Sequence, residues 1–297
     1  MQRSIPVVLV ANLKGGVGKT TIAANLAAYF EDVHSERVLA IDLDYQGSLS
    51  SMILPKVDRS TQTADHAVAL VGGHVAGEQL LRHSYNIPNS SKDSRVIPCA
   101  HEFANYETRL VLEWLIGDIG GDIRYNLARV LHDDFVQCEF QRVIIDAPPR
   151  ITAGFINALC TSTHLLVPTV LDRLSVDGVG SFLKDVNKLK GNLFPRLQLL
   201  GVVGNMKRTS SPKHERSEVE ALLELKRLLR TEQGSDHYLL EQALIPRKES
   251  IARAAGLGIV YPEIKDLIRP LGEAVFESAP PRRELRYESR IAQVAVR

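Results

Sequence analysis

The sequence has few cysteines, few aromatic residues and almost no net charge. Cys99, Cys138 and Cys160 lie far apart, without the paired spacing of a zinc or iron–sulfur site, so we expect reduced, buried thiols. The 36 Lys and Arg residues nearly balance 35 Asp and Glu, so any surface for nucleic acid must be local. No apolar run approaches the roughly 18 residues of a membrane span, and no export signal precedes the first predicted strand. These absences favour a globular cytoplasmic protein.

Short apolar runs alternate with longer helical patterns along the chain. The runs lie at Val7–Ala11, Val38–Ile41, Val96–Pro98, Val143–Ile145, Leu165–Val167 and Leu199–Val203. Such continuous hydrophobic strands are typical of a parallel sheet that is covered on both faces. The predicted fold class is therefore α/β, doubly wound, with a mostly parallel sheet and helices on both faces.

The helical patterns and the polar stretches between them predict one domain over residues 1–279 and an Arg-rich tail over 280–297. The first helix is predicted to run to about Phe30, with an apolar stripe of Ile22, Leu26, Tyr29 and Phe30. Asn86–Arg95 and Arg208–Arg216 are predicted surface loops. A second amphipathic helix is predicted around Ser217–Thr231, with an apolar side of Val219, Leu222, Leu223 and Leu229.

A glycine-rich loop, Lys14–Thr21 (KGGVGKTT), follows the first predicted strand and opens the first helix. Its glycines let backbone N–H groups converge on an anion, and the helix points its positive end at the same place. Lys19 is predicted to reach the β- and γ-phosphates, the Thr20 hydroxyl to ligate Mg²⁺, and Thr21 to contact the α-phosphate. The predicted nucleotide-binding residues of the loop are Gly15, Gly16, Val17, Gly18, Lys19, Thr20 and Thr21. The strict P-loop pattern has glycine where this chain has Leu13.

Aspartates follow two of the later predicted strands. Asp42 and Asp44 come at the end of one, and Asp146 ends another. The carboxyl ends of parallel strands meet at the ligand-binding edge of a sheet, so all three are expected near the phosphates. The spacing of two is expected to place Asp42 and Asp44 on the same side. One such Asp alone is as readily a turn or a helix cap, whereas three in this order predict a phosphate and Mg²⁺ site.

Lys14 has no obvious role in its own site, because Lys19 already occupies the space beside the γ-phosphate. One physical solution is to project Lys14 across a dimer interface, where it would stabilise transition-state charge. The run KGGVGKTT resembles the deviant Walker A loop of the ParA/MinD superfamily of ATPases. Asp42–Gly47 resembles the first switch of that family, in which Tyr45 replaces the usual proline, and Asp146–Pro149 resembles its second switch. The resemblance covers most of residues 5–278.

The resemblance implies a slow ATPase with ATP and Mg²⁺ as cofactors and a homodimer that closes around ATP. Lys14, Lys19 and Asp44 would be its catalytic residues, with Asp44 positioning or polarising the attacking water. Thr20 and Asp146 would hold Mg²⁺, and Asp42 would support it through its water shell. Asn205, at the end of a late strand, together with Pro246 and Arg247, would contact the adenine, helped by the segment Ile251–Gly256. No guanine-reading N-K-x-D motif is present, which favours ATP over GTP.

The function that the resemblance implies is plasmid or chromosome partition. The ATP dimer would bind DNA without sequence preference, associate with the nucleoid in the cytoplasm, and respond to a ParB-like partner. The candidate DNA contacts are Lys207, Arg208, Lys213, Arg216, Arg247, Lys248 and Arg253.

Three alternatives remain open. A MinD-like or other cargo-positioning ATPase would want an amphipathic membrane helix, and the tail lacks Trp and Phe. A metal-cluster assembly ATPase would want paired cysteines. A nucleotide-dependent regulatory adaptor would have no need of Lys14 and Asp44.

Overall fold

A single sheet organises the computed structural model, which describes residues 5–54, 66–208, 212–249, 251 and 261–281. Its strands are β1 (Val7–Val10), β2 (Val38–Asp42), β3 (Tyr85–Asn86), β4 (Arg95–Ile97), β5 (Arg142–Asp146), β6 (His164–Val170) and β7 (Gln198–Asn205). Their order across the sheet is β3-β4-β2-β5-β1-β6-β7. All neighbouring pairs are parallel except β3 with β4. The predicted α/β fold class is confirmed.

Helices cover both faces of the sheet. They are α1 (Lys19–His34), α2 (Ser48–Ile53), α3 (His66–Val71), α4 (Glu102–Leu115), α5 (Asn126–Leu131), α6 (Asp134–Glu139), α7 (Ala153–Thr161), α8 (Arg173–Leu193), α9 (Pro212–Gln233) and α10 (Tyr261–Ser278). Short 3₁₀ turns lie at Gly77–His83, Ile123–Tyr125 and Glu241–Ala243. α1, α2 and α10 contribute to the core on one face, and α3 to α9 to the core on the other. Within the described ranges, no helix combines the length and apolarity needed to cross a bilayer.

Successive side chains of each strand point to opposite faces of the sheet, which produces these two cores. In β1, Val7 and Leu9 face the α8 side, whereas Val8 and Val10 face α1. Parallel strands buried on both faces must be apolar throughout, which explains the continuous apolar runs in the sequence. The predicted stripe of α1 is also confirmed. Its residues Ile22, Leu26, Tyr29 and Phe30 are all buried.

Two predictions about the second amphipathic helix are wrong in part. The predicted loop Arg208–Arg216 ends earlier, because α9 begins at Pro212, a residue that fits the first turn of a helix. Of the predicted apolar side, Leu222 and Leu229 pack into the core as expected, whereas Val219 and Leu223 are 54% and 61% exposed. The helix carries more leucines than one face can bury, so periodicity alone did not identify the face. The face toward α8 is built from Ala221, Leu222, Leu225, Leu228 and Leu229.

This revised face predicts different stability effects for two neighbouring leucines of α9. We expect Leu225→Ala to lower the free energy of unfolding by about 2–5 kcal/mol, because it opens a cavity in the core. The matched variant Leu223→Ala should change it by less than about 0.5 kcal/mol, as exposed positions do. Urea denaturation monitored by circular dichroism measures the free energy of unfolding of both variants. Equal losses would contradict the assignment of the buried face.

The other loop prediction agrees with the structure. Asn86–Arg95 is irregular apart from its ends, which finish β3 and start β4. Of the Arg-rich tail, residues 282–297 lie outside the described residues, as do 252–260 with the candidates Arg253 and most of Ile251–Gly256. Lys213 lies in the first turn of α9, and its side chain is not among those described.

Candidate phosphate and magnesium site

The loop between β1 and α1 has the backbone geometry of an anion-binding site. Gly16 and Gly18 have φ of +73° and +88°, values that residues with a Cβ rarely adopt. A Cβ placed on Gly15 or Gly16 would meet no other atom within 4 Å, so this side of the loop is open. Gly18 caps α1 without a side chain, and no acidic residue stands in the first helical turn. The first N–H groups of α1 and the positive end of its dipole can therefore bind a phosphate.

Lys19 lies inside this loop. Its side chain is almost buried, with 7% of the residue exposed, and its Nζ donates a hydrogen bond to the Lys14 carbonyl at 3.0 Å. Burial lowers the pKa of Lys19, and the nearby Asp146 and Asp44 carboxylates oppose that effect. This bond holds the Lys19 ammonium against the backbone of the loop, while its contact with the β- and γ-phosphates stays a prediction.

Thr20 and Asp146 meet at the carboxyl edge of the sheet. The Thr20 hydroxyl donates a hydrogen bond of 2.6 Å to Asp146 Oδ2, although the two residues are 126 positions apart. Asp146 is 1% exposed, and its other oxygen, Oδ1, is buried without a hydrogen-bond partner. A buried, unpartnered carboxylate oxygen beside a hydroxyl fits Mg²⁺, a hard cation that prefers oxygen ligands. Thr20 and Asp146 would hold the ion, which would neutralise phosphate charge when bound.

Asp42 lies directly opposite Asp146, because the parallel register of β2 and β5 pairs these two residues. It is fully buried, and burial raises its pKa to about 6. Burial also raises the pKa of Asp146, and the neighbouring Asp42 charge adds to that effect. Two adjacent buried carboxylates favour a bound cation, since like charges without one repel. Ser50 fixes Asp42 through its N–H at 2.8 Å and its hydroxyl at 2.7 Å, both donating to Oδ2.

Asp44 stands in a turn just beyond β2. β2 ends at Asp42, so the same-side placement of Asp42 and Asp44 stays a prediction. The extended conformation it assumed stops before Asp44. The turn is closed by a 2.8 Å bond from Gly47 N to the Asp44 carbonyl, and Asp44 Oδ1 accepts from Gln46 N at 3.0 Å. Asp44 is half-buried, close enough to influence both Lys19 and Asp146 electrostatically.

Lys14 turns away from its own phosphate loop. Its Nζ donates to Ser175 Oγ at 2.6 Å and lies 3.4 Å from Asp172 Oδ1. Both partners stand at the start of α8, where Asp172 caps the helix through Ser175 N at 2.8 Å. The Lys14 and Asp172 side chains are 37% and 47% exposed, so the ion pair lies at the surface. The sequence did not predict this pairing, although Asp172 followed by Ser175 has the spacing of a helix cap.

The predicted adenine contacts come together at the end of β7. Asn205 is 6% exposed, and its Nδ2 donates to the Val17 carbonyl at 2.9 Å, which ties β7 to the phosphate loop. Pro246 pairs with Lys207 in an isolated bridge, which places Pro246 and Arg247 beside that strand end. The contacts of Asn205, Pro246 and Arg247 with an adenine stay predictions.

Two further residues shape the site and were given no role from sequence. Asn12 is buried between strand and loop, where its Nδ2 donates to the Pro168 carbonyl at 2.8 Å and its Oδ1 accepts from Lys14 N at 2.9 Å. Glu107 of α4 is 5% exposed and accepts a 2.6 Å bond from Gly154 N at the start of α7. Burial raises the pKa of Glu107. The position of Asn12 directly after an apolar strand was the available signal for the first of them.

Similarity to known proteins identifies the family of this chain. The family model AAA_31, described as an AAA domain, matches residues 5–199. The chromosome-partitioning ATPase Soj of Thermus thermophilus is 29% identical over 201 residues, which are 67% of this chain and 68% of Soj. The chromosome partitioning protein ParA of Caulobacter vibrioides is 28% identical over 257 residues, 85% of this chain and 84% of that protein.

Solved structures share the fold. The ATP complex of a McdA variant from Cyanothece has a TM-score of 0.74 and 22% identity over 95% of this chain and 99% of that one. Cobyrinic acid a,c-diamide synthase from Mycobacterium smegmatis, with a bound ATP analogue and magnesium, has a TM-score of 0.61 and 25% identity over 73% of this chain and 78% of that one. The family match spans most of the chain and includes the phosphate loop and all three aspartates, so this chain belongs to the AAA_31 family of ParA/MinD-type ATPases.

Proposed function

We propose that this chain is a ParA-type partition ATPase whose active form is two copies closed around ATP and Mg²⁺. The observation that carries the proposal is the pair of lysines. Lys19 fills the centre of its own loop, while Lys14 points outward to a partly exposed ion pair at the start of α8. From that position the lysine would exchange its surface ion pair for the phosphates of a second copy, as an arginine finger acts in trans. Lys14, Lys19 and Asp44 are the proposed catalytic residues.

The partition role is supported by relatives. Soj and ParA, whose names describe chromosome partitioning, align with two thirds or more of this chain. We propose that the ATP dimer binds DNA without sequence preference, that a ParB-like partner stimulates hydrolysis, and that the protein is cytoplasmic and nucleoid-associated with ATP. We also propose one ATPase domain over residues 1–279, with 280–297 as a separate tail.

A basic cluster supports the DNA step. Main-chain bonds join Lys207 N to the Ile245 carbonyl at 3.0 Å and Arg247 N to the Lys207 carbonyl at 2.8 Å, which brings two basic stretches side by side. The basic cluster comprises Lys207, Arg208, Arg247 and Lys248, and all except the half-buried Lys207 are exposed. Backbone phosphates are bound by such local charge even when the net charge is near zero.

The test measures binding of fluorescent duplexes of two unrelated sequences. With ATP and Mg²⁺ we expect equal affinity for both and a strong dependence on salt. The double variant Arg208→Gln/Lys248→Gln should bind several-fold more weakly, and the salt slope should fall by about 0.9 for each lost phosphate contact. The matched control, Lys188→Gln, removes a 65% exposed lysine from α8 and should bind as wild type.

Two outcomes would overturn the DNA proposal. One is the absence of ATP-dependent DNA binding at low salt. The other is equal weakening by the control variant. ATP-dependent co-sedimentation with liposomes, without DNA binding, would instead favour a MinD-like positioning ATPase.

A further inference from the structure

The loops that follow β2 and β5 touch each other through one aromatic ring and one guanidinium. The Arg150 guanidinium carbon lies 4.3 Å from the centroid of the Tyr45 ring, within the range of a cation–π interaction. Tyr45 directly follows Asp44, and Arg150 stands four positions after Asp146. The contact therefore joins the two chain segments that carry the carboxylates of the site.

Tyr45 is well placed to hold a cation. It occupies a position where ParA-type sequences usually have proline. The aromatic side chain is therefore an addition to the usual pattern of the first switch. The half-buried ring packs against the core on the α8 side of the sheet, and the His101 ring lies 5.9 Å away at the start of α4. Because packing already holds the ring in place, a guanidinium can bind to its face with little further loss of side-chain conformational entropy.

Arg150 also faces the buried carboxylate behind the second loop. Burial raises the pKa of Glu107, the positive charge of Arg150 lowers it, and the negative charge of Asp44 raises it. Glu107 also accepts a hydrogen bond of 2.6 Å from the Gly154 N–H. A Cβ on Gly154 would lie 2.8 Å from Glu107 Oε1, so this junction is closely packed. Arg150 thus lies at the exposed end of residues 150–154, and Glu107 holds the other end, Gly154, at the start of α7.

We propose that Tyr45 and Arg150 are positioning residues that couple the loop 43–47 to the loop 147–152. With the guanidinium seated on the ring, the turn that carries Asp44 and the backbone after Asp146 move together. The γ-phosphate would therefore meet both loops in one defined arrangement. The coupling rests on the proposed ATPase function for its purpose, whereas the contact itself involves only the Tyr45 and Arg150 side chains.

Hydrogen exchange of the nucleotide-free full-length protein tests the coupling directly. Arg150→Gln should speed amide exchange in the other loop, at Gln46 and Gly47, by about two- to fivefold, as expected for the loss of one exposed cation–π contact. Tyr45→Leu should likewise speed exchange at 150–153. Tyr45→Phe keeps the ring face and should keep the wild-type exchange in both loops. The control Arg124→Gln removes a guanidinium that lies 5.8 Å from the Trp114 ring, outside the site, and should leave both loops unchanged.

A double-mutant cycle on ATP hydrolysis provides the second measurement. If the pair acts as a unit, kcat of Tyr45→Leu/Arg150→Gln should fall no further than in the worse single variant, with little change in KM. Effects confined to the mutated loop, or additive losses in kcat, would overturn the proposal. Failure of the proposed ATPase function would look different. The wild type would then show no ATP hydrolysis that depends on Lys19. The variants would still change hydrogen exchange in the two loops as expected.

Discussion

Replacing Lys14 with alanine is expected to lower kcat for ATP hydrolysis by about 10³-fold or more while leaving ATP binding nearly unchanged. Charge supplied in trans to a transferring phosphoryl group is worth about this much in NTPases that use an arginine finger. Lys14 is not needed to fill its own loop, because Lys19 Nζ already lies there, 3.0 Å from the Lys14 carbonyl. Within the part of the chain described, the hydrogen bonds of the lost side chain go to the partly exposed Asp172 and the buried Ser175 at the start of α8, outside the loop.

Steady-state phosphate release and equilibrium ATP titration measure these two effects. Hydrolysis at the wild-type rate in Lys14→Ala would contradict the closed-dimer mechanism. Loss of ATP binding would instead show that Lys14 serves its own loop. Either result would remove the main support for the proposed function.

Asp44→Ala is expected to bind ATP and dimerise but to lose about 10²–10⁴-fold in turnover, the usual contribution of a positioned general base. Asp44 is half-buried in a turn beyond β2, whereas the residues that fit phosphate and Mg²⁺ are Lys19, Thr20 and Asp146. Its removal therefore leaves the binding groups in place. Light scattering with ATP reports the dimer, and phosphate release reports turnover.

The comparison variant for Asp44→Ala is Lys19→Ala, which should lose ATP binding itself because it removes the cation at the centre of the loop. A failure of Asp44→Ala to bind ATP would contradict the division of roles between the two residues. If Asp44→Ala hydrolysed ATP at the wild-type rate, a residue other than Asp44 would position the attacking water.

Mixing the two inactive variants tests the crossing of Lys14 directly. In a dimer of one Lys14→Ala and one Asp44→Ala copy, the site of the Lys14→Ala copy keeps Asp44 and receives Lys14 from its partner. Statistical mixing should therefore restore about a quarter of wild-type activity, since half the dimers are mixed and one of their two sites is complete. If Lys14 acted within its own copy, the mixture would stay as inactive as its parts.

Local chemistry made much of this site predictable from sequence. Glycine is strongly favoured where φ is positive, as at Gly16 and Gly18, and the N-terminus of a helix that follows such a loop can bind an anion. Apolar runs that end in Asp predict carboxylates at one edge of a parallel sheet, and Asp42 and Asp146 lie there. These rules need only neighbouring residues, so one sequence is enough to apply them.

The tertiary structure alone decided which distant residues meet. Lys14 contacts Ser175 across 161 positions, Glu107 holds Gly154, and Arg150 lies on Tyr45. The sequence prediction placed Val219 and Leu223 on the buried face of α9 wrongly for the same reason. Its burial depends on where α8 packs, and leucines on several sides satisfied the helical period equally well. The sequence by itself thus determined the phosphate loop, the strand-end carboxylates and the fold class, because these follow from local backbone preference and hydrophobic pattern. Strand order and helix packing decided the remaining contacts, because they arise from free-energy differences among many long-range pairings that no local pattern encodes.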